Sequence, residues 1–178
     1  MKALMAGRLP GLWYACMASE RDTAPLDETA CRTIGDVMRH QTRTTAILVF
    51  NKLGHVLLQK RDHLPTIREP GKWDVWGGHC EEGETPKACA VRELREEIGV
   101  EMTDTAALKF LMTRPVEGQE ESVFAYLYEA DGTPPVYESE RAAWFTPEAA
   151  ASLSMAFGAE TLFSPDTVTR AKATLALQ

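Results

Sequence analysis

The chain has no positive excess. Among its 178 residues, 19 Lys and Arg face 26 Asp and Glu, a formal charge of −7. This argues against a protein whose main work is neutralising nucleic-acid phosphates, yet leaves room for a small phosphate-bearing ligand. Cysteine is scarce and unpatterned. Cys16, Cys31, Cys80 and Cys89 contain no C-x-x-C pair and repeat no spacing, so zinc-ribbon and zinc-finger frameworks are absent and free thiols are the default. His79, Cys80 and Cys89 together offer only three irregularly spaced metal ligands. Long apolar runs are missing as well: Ala46–Phe50 is far short of the ~20 residues that a membrane-spanning helix needs. Leu9–Ala18 loosely mimics a signal peptide, but it is short and interrupted by Pro10 and Gly11. Neither internal repeats nor low-complexity segments occur. With 44% apolar and 25% charged residues, the composition is that of one ordinary globular domain with an extension.

Residues 1–41 read as an irregular N-terminal extension, with a short helix at 27–40 where Asp27 caps and Ala30, Ile34, Val37 and Met38 recur at helical spacing. Regular patterning begins after it, and residues 42–178 form the domain. Thr44–Phe50 and His55–Gln59 predict a β-hairpin turned by Asn51-Lys52-Leu53-Gly54. Pro65, Pro70 and Gly71 make residues 62–72 a loop, and Trp73–Trp76 is a short strand ending at Gly77-Gly78. Residues 86–98 carry a full set of helix signals: Thr85 as N-cap, Pro86 in the first turn, Gly99 at the stop. Ala107–Thr113 and Ser122–Glu129 predict strands, Trp144-Phe145 a strand end, and Thr146-Pro147-Glu148 and Ser164-Pro165-Asp166 the starts of two more helices. Strands mixed with helices in this order predict an α/β sandwich around a mixed sheet.

Charge is unevenly spread. Residues 78–100 hold six Glu against Lys87, Arg92 and Arg95. On a helix over 86–98, Ala88, Val91, Leu94 and Ile98 share one arc and predict the core stripe, while Glu93, Glu96 and Glu97 gather on the other side. Like charges at that spacing repel by a few tenths of a kcal/mol. A solvated face would tolerate this, but a hard divalent cation such as Mg²⁺ or Mn²⁺ would remove the conflict. Gly77-Gly78 lets the backbone turn sharply and approach a ligand, and Glu84 adds a fourth carboxylate at the helix start. Lys52, Lys60, Arg61, Arg68 and Lys72 precede this stretch and Arg114 follows it, and any of them could clamp an anion.

The full pattern is Gly78-x5-Glu84-x7-Arg92-Glu93-Leu94-x-Glu96-Glu97-x-Gly99-Val100. It resembles the Nudix box at every defining position, and the order of elements over 42–178 is similar to the Nudix α/β/α sandwich. The resemblance implies a hydrolase of nucleoside diphosphates linked to another group, using Mg²⁺, or Mn²⁺ in its place, and water attack at phosphorus. It implies that Glu96 and Glu97 are the principal metal ligands beside the Gly77 carbonyl, and that Glu93 is general base or a further ligand. Arg92 would orient Glu93, and Glu84 would support the metal site. Glu138 and Glu140 lie where many Nudix members place another metal or base glutamate. Arg61, Arg68 and Arg114 are the expected substrate-binding cations.

Three functional classes follow. The first is a divalent-metal-dependent pyrophosphohydrolase acting on a nucleoside triphosphate, ADP-ribose or a nucleotide sugar. Pro115, 15 residues beyond the box, stands near where ADP-ribose-cleaving members carry a proline, without the rest of that signature. The second is an isoprenyl-diphosphate isomerase, which shares the fold but departs from the strict box and uses a catalytic Cys and Glu. Cys80 is a poor substitute for that Cys. The third is a non-catalytic nucleotide sensor, which degenerate Arg92, Glu96 or Glu97 would have favoured. The expected setting is cytoplasmic, with a small nucleotide as partner, a homodimer allowed for, and neither membrane nor nucleic acid expected.

Overall fold

A computed structural model of the chain describes residues 43–178. The expected extension 1–41, its helix at 27–40, Cys16 and Cys31 lie outside the described residues. The β-branched and apolar run after Thr42 forms β1 (Arg43–Phe50), and the next apolar run forms β2 (Val56–Lys60). Between them Asn51 builds the turn, its side-chain oxygen accepting from the N–H groups of Leu53 and His55 at 3.0 Å each. This hairpin pairs only at its closed end, Val49 with Leu57 and Phe50 with Val56. The strands then part, and residues 73–79 run into the gap.

That wedge is pinned along both edges. On one side β3 (Trp73–Asp74) pairs antiparallel with Lys60 and Gln59. On the other, Trp76 and His79 bridge to Ile47 and Thr44 of β1. The Thr45 N–H donates to the Gly78 carbonyl and the Ile47 N–H to the Trp76 carbonyl, both at 2.8 Å. Sequence reasoning expects a strand over Trp73–Trp76; instead, shared pairing confines the regular part to two residues.

The rest of the six-stranded mixed sheet builds outward. β5 (Gln119–Leu127) lies parallel to β1 from Arg43↔Glu120 to Phe50↔Leu127. β4 (Lys109–Val116) joins β5 through Glu117-Gly118, both at positive φ, the geometry of a tight hairpin turn. β6 (Arg141–Phe145) takes the free edge of β2. Period-two alternation divides the core into two layers. Ala46, Leu48, Phe50 and Val123 face Leu162, Phe163 and Ala171, beneath α2 (Pro147–Ala150), a 3₁₀ turn at Ala159–Phe163 and α3 (Pro165–Thr174). Ile47, Val49, Leu57, Trp76 and Phe124 face Leu94 and Ile98 of α1 (Pro86–Ile98). The fold is therefore the expected α/β/α sandwich. Every side chain from Ile47 to Phe50 and from Val56 to Leu58 is fully buried, each contributing about 1.5–3 kcal/mol of transfer free energy. No helix among the described residues is long and apolar enough to cross a membrane.

Helix α1 starts and stops at its local signals. Thr85 Oγ1 accepts from the Ala88 N–H at 3.2 Å, and left-handed Gly99 donates to the Arg95 carbonyl at 3.0 Å. Its rotation differs from the expected one. Ala88 is exposed and Val91 half-buried, whereas Cys89, Ala90, Leu94, Glu97 and Ile98 are buried. The buried thiol of Cys89 behaves as an apolar group, and polar partners on β2 and the wedge draw Glu97 inward. The three glutamates therefore do not share one solvent face.

Candidate active site

Two adjacent glycines carry the wedge past the helix. At Gly77 φ is +121°, and its N–H donates to Glu97 Oε2 at 2.9 Å. A Cβ there would stand 2.2 Å from the Thr45 carbonyl oxygen of β1. Gly78 has no such backbone demand, but a Cβ on it would stand 2.7 Å from Glu93 Oε1. The first glycine lets the strand bend, and the second makes room for a carboxylate.

Glu97 is 7% exposed, and its second oxygen accepts from Gln59 Nε2 at 3.1 Å. Burial pushes its carboxyl up to about 8; the hydrogen bonds from Gly77 and Gln59 oppose this, and the charges of Glu93 and Glu138 add to it. Burial also raises Glu93, with Arg92 opposing. Arg92 stands at the centre. It donates to Glu84 through Nε and Nη2 at 3.2 and 3.1 Å, to Glu93 Oε1 at 2.9 Å, to Glu96 Oε2 at 3.0 Å and to the His79 carbonyl at 2.9 Å. These bonds from Arg92 hold the Glu84 carboxyl below the usual carboxylate range. Glu96 points outward and is the more exposed partner.

Of the two acids expected in the following loop, exposed Glu138 lies close enough for its charge to act on both Glu93 and Glu97. Glu140 instead approaches His63 Nε2 and Arg141 Nε, at 3.9 Å each. The Glu97 carbonyl accepts from the Tyr137 N–H at 3.0 Å, which ties this loop to the helix.

Arg61, Arg68 and Arg114 reach one cleft of about 250 Å³ that also borders Gly77, Gly78 and Trp76. Each is already paired: Arg61 with Asp74 at 3.2 Å, Arg68 with Glu117, and Arg114 with Glu121. The guanidinium carbons of Arg61 and Arg68 lie 5.0 and 5.5 Å from the Phe157 ring centre. Sequence reasoning picks out the arginines but misses Gln59, Asp74, Glu117, Glu121 and Phe157, whose roles depend on partners from other strands. Asp74 is 8% exposed, and burial pushes its carboxyl up to about 7 despite Arg61.

The donors around the wedge fit a hard divalent cation. They are all oxygen, and Glu93 and Glu97 are carboxylates withdrawn from water with only one guanidinium between Glu93 and its neighbours. The oxygens of Glu93, Glu96 and Glu97 do not converge to the 4.8 Å spacing that one set of side chains, Cys80, Glu84 and Cys89, shows among the described residues.

A family model described as NUDIX domain matches residues 40–164. The chain belongs to the Nudix family. Among curated relatives it is 32% identical over 98 residues to the NAD-capped RNA hydrolase NudC of Vibrio vulnificus, covering 51% of this chain and 36% of that protein. It is 30% identical over 90 residues to an isopentenyl-diphosphate Delta-isomerase of Streptomyces griseus, covering 48% and 45%. The chain thus spans less than half the length of these relatives. The solved E. coli dihydroneopterin triphosphate pyrophosphohydrolase shares the fold, with a TM-score of 0.57 at 18% identity over 71% of this chain and 95% of that one.

Proposed function

We propose that the protein is a divalent-cation-dependent pyrophosphohydrolase of a nucleoside diphosphate linked to another group, acting in the cytoplasm within a domain spanning 42–178. The observation that carries this reading is the seat of Glu93 and Glu97 against Gly78 and Gly77, with Arg92 holding Glu93. The residues that would hold the cation are Glu93, Glu96, Glu97 and the Gly77 carbonyl, with Glu84 supporting them through Arg92. Mg²⁺ suits this donor set, with Mn²⁺ as a substitute. When bound, the cation neutralises phosphate charge and acidifies attached water.

The chain's own groups do the remaining work. Gly77 and Gln59 fix both oxygens of Glu97. Arg92 holds Glu93 Oε1 and leaves Oε2 to accept a proton from the attacking water. Glu138 is a second proton acceptor from the neighbouring loop, and Glu140 stands at its margin. In the cleft, the carboxylate partners of Arg61, Arg68 and Arg114 fix the direction of each guanidinium, so that these cations orient a polyphosphate substrate rather than attract anions at large.

The isomerase relative supports a second reading, which the placement of Cys80 disfavours: this thiol stands against Cys89 and Glu84 rather than Glu97. A hydrolysis screen with Mg²⁺ or Mn²⁺ tests both readings. Its substrates are nucleoside triphosphates, ADP-ribose, nucleotide sugars, dinucleoside polyphosphates, NAD and NAD-capped RNA, with isopentenyl diphosphate as the isomerase control. Glu97→Gln should retain the circular dichroism of the wild type while turnover falls by about 10²–10³-fold or more. Undiminished release of product by that variant refutes the proposal.

A further inference from the structure

Two thiols that the hydrolytic reading does not use converge with Glu84 on one point of the same loop and helix. The Sγ atoms of Cys80 and Cys89 and a carboxylate oxygen of Glu84 all lie within 4.8 Å of one another. Cys80 is half-buried and Cys89 is buried, and both are free thiols. We propose that Cys80, Cys89 and Glu84 form a binding site for a thiophilic divalent cation of the Zn²⁺ class, distinct from the all-oxygen cluster at Glu93, Glu96 and Glu97.

Ligand chemistry separates the two sites. Two sulfurs and one carboxylate select a borderline-soft ion that accepts tetrahedral geometry, whereas Mg²⁺ is a poor match for thiolates. Zn–S bonds of ~2.3 Å and Zn–O bonds of ~2.0–2.2 Å place tetrahedral ligand atoms between about 3 and 4 Å apart, so the present spacing requires only a small inward movement. Water would complete the fourth position. Binding releases the thiol protons of Cys80 and Cys89 to solvent, and no electron is transferred.

Burial pushes both thiols up, so the cation itself must supply the charge that holds them as thiolates. Thr45 Oγ1 stands 3.5 Å from Cys89 Sγ, and Arg92 Nη2 points at the same sulfur from 3.6 Å. Hydrogen bonds of this kind steady a metal-bound sulfur and limit its charge. With two thiolates, one carboxylate, a dication and the Arg92 guanidinium, the formal charges cancel. Because the thiol of Cys80 is only partly covered, an ion can arrive without opening the core. Glu84 is common to both neighbourhoods: it is a support for Arg92 in one and a ligand in the other. Drawing Glu84 toward the sulfurs would loosen the guanidinium that holds Glu93.

The test uses the full chain, kept reduced with a phosphine. Titration with Co²⁺ should produce the ultraviolet sulfur-to-cobalt charge-transfer absorption, saturating at one ion per chain. This band should be lost in Cys80→Ser and in Cys89→Ser, and retained in Glu97→Gln. A band that survives both serine variants, as binding through Cys16 and Cys31 would produce, overturns the proposal, as does no band in the wild type. A second measurement needs no variant. Alkylation of Cys80, followed by peptide mass spectrometry on the wild-type protein, should slow on adding Zn²⁺ and recover with a chelator. Cys80 labelling that is indifferent to Zn²⁺ overturns the proposal independently.

Discussion

Replacing each of the two wedge glycines by alanine should give opposite phenotypes, although the residues are adjacent and the change is the same methyl group. In Gly78→Ala the new carbon meets the end of a side chain. Glu93 Oε1 would have to retreat from 2.7 Å to the ordinary contact range beginning at 3.4 Å, and a carboxylate can do so by rotation. Its bond to Arg92 at 2.9 Å would then be lost or lengthened. Displacing a catalytic group by ~1 Å costs up to ~10²-fold, so turnover should fall about 10- to 100-fold with little loss of stability. In Gly77→Ala the new carbon meets backbone, the Thr45 carbonyl oxygen at 2.2 Å, at a φ of +121° that suits only glycine. The strained φ costs ~1–3 kcal/mol and overpacking a further ~1–3 kcal/mol, which lowers the melting temperature by on the order of 10 °C. Calorimetry and steady-state hydrolysis on the same preparations separate the two effects. Full activity in Gly78→Ala, or wild-type melting in Gly77→Ala, would show that the division of labour between the glycines is wrong.

Arg92→Lys keeps a positive charge but loses the planar fork that reaches Glu84, Glu93 and Glu96 together. It should lower turnover more than tenfold, with a loss of about 1–3 kcal/mol in denaturant unfolding; hydrolysis at the wild-type rate would contradict the central place given to that residue. Asp74 has a folded pKa of about 7 against an ordinary value of 3.8. Its folded state therefore holds a proton that its unfolded state releases, and stability should fall as pH rises from about 4 to 7. The rise from 3.8 to about 7 corresponds to at most ~4 kcal/mol. The stability of the wild type relative to Asp74→Asn should decline across that window, and a flat difference in urea midpoints would argue against a buried, reluctant carboxylate.

Much of this architecture is legible in the sequence where the information is local. Thr85, Pro86 and Gly99 fix the ends of α1 because caps and stops are made by residues within a turn of one another. The apolar runs and the Asn51–Gly54 turn between them mark β1 and β2 for the same reason. The rotation of α1 is not local. It depends on Gln59 and the Gly77 N–H, far back in the chain, offering Glu97 two hydrogen bonds inside the protein. Helical periodicity treats Glu97 as a surface group for lack of that information. Likewise, Arg61, Arg68 and Arg114 are visible as cations, but Asp74, Glu117 and Glu121 become their partners only when β3 and the β4–β5 hairpin are in place.

The parallel pairing of β1 with β5 also governs how the molecule can be made. Ile47 and Phe124 are neighbours in the sheet, yet the entire acidic motif lies between them in the chain. Closing so long an intervening segment has an entropic cost that hairpins avoid, and it slows folding. A nascent chain emerging from the ribosome therefore presents every residue of the motif before it has β5, which flanks β1 and supplies Phe124 beneath α1. The signature is contiguous in sequence but is not a detachable unit. A peptide ending at Val100 would contain all its carboxylates and its arginine, and would lack Leu108 and Phe124, the part of the layer under the helix that closes last.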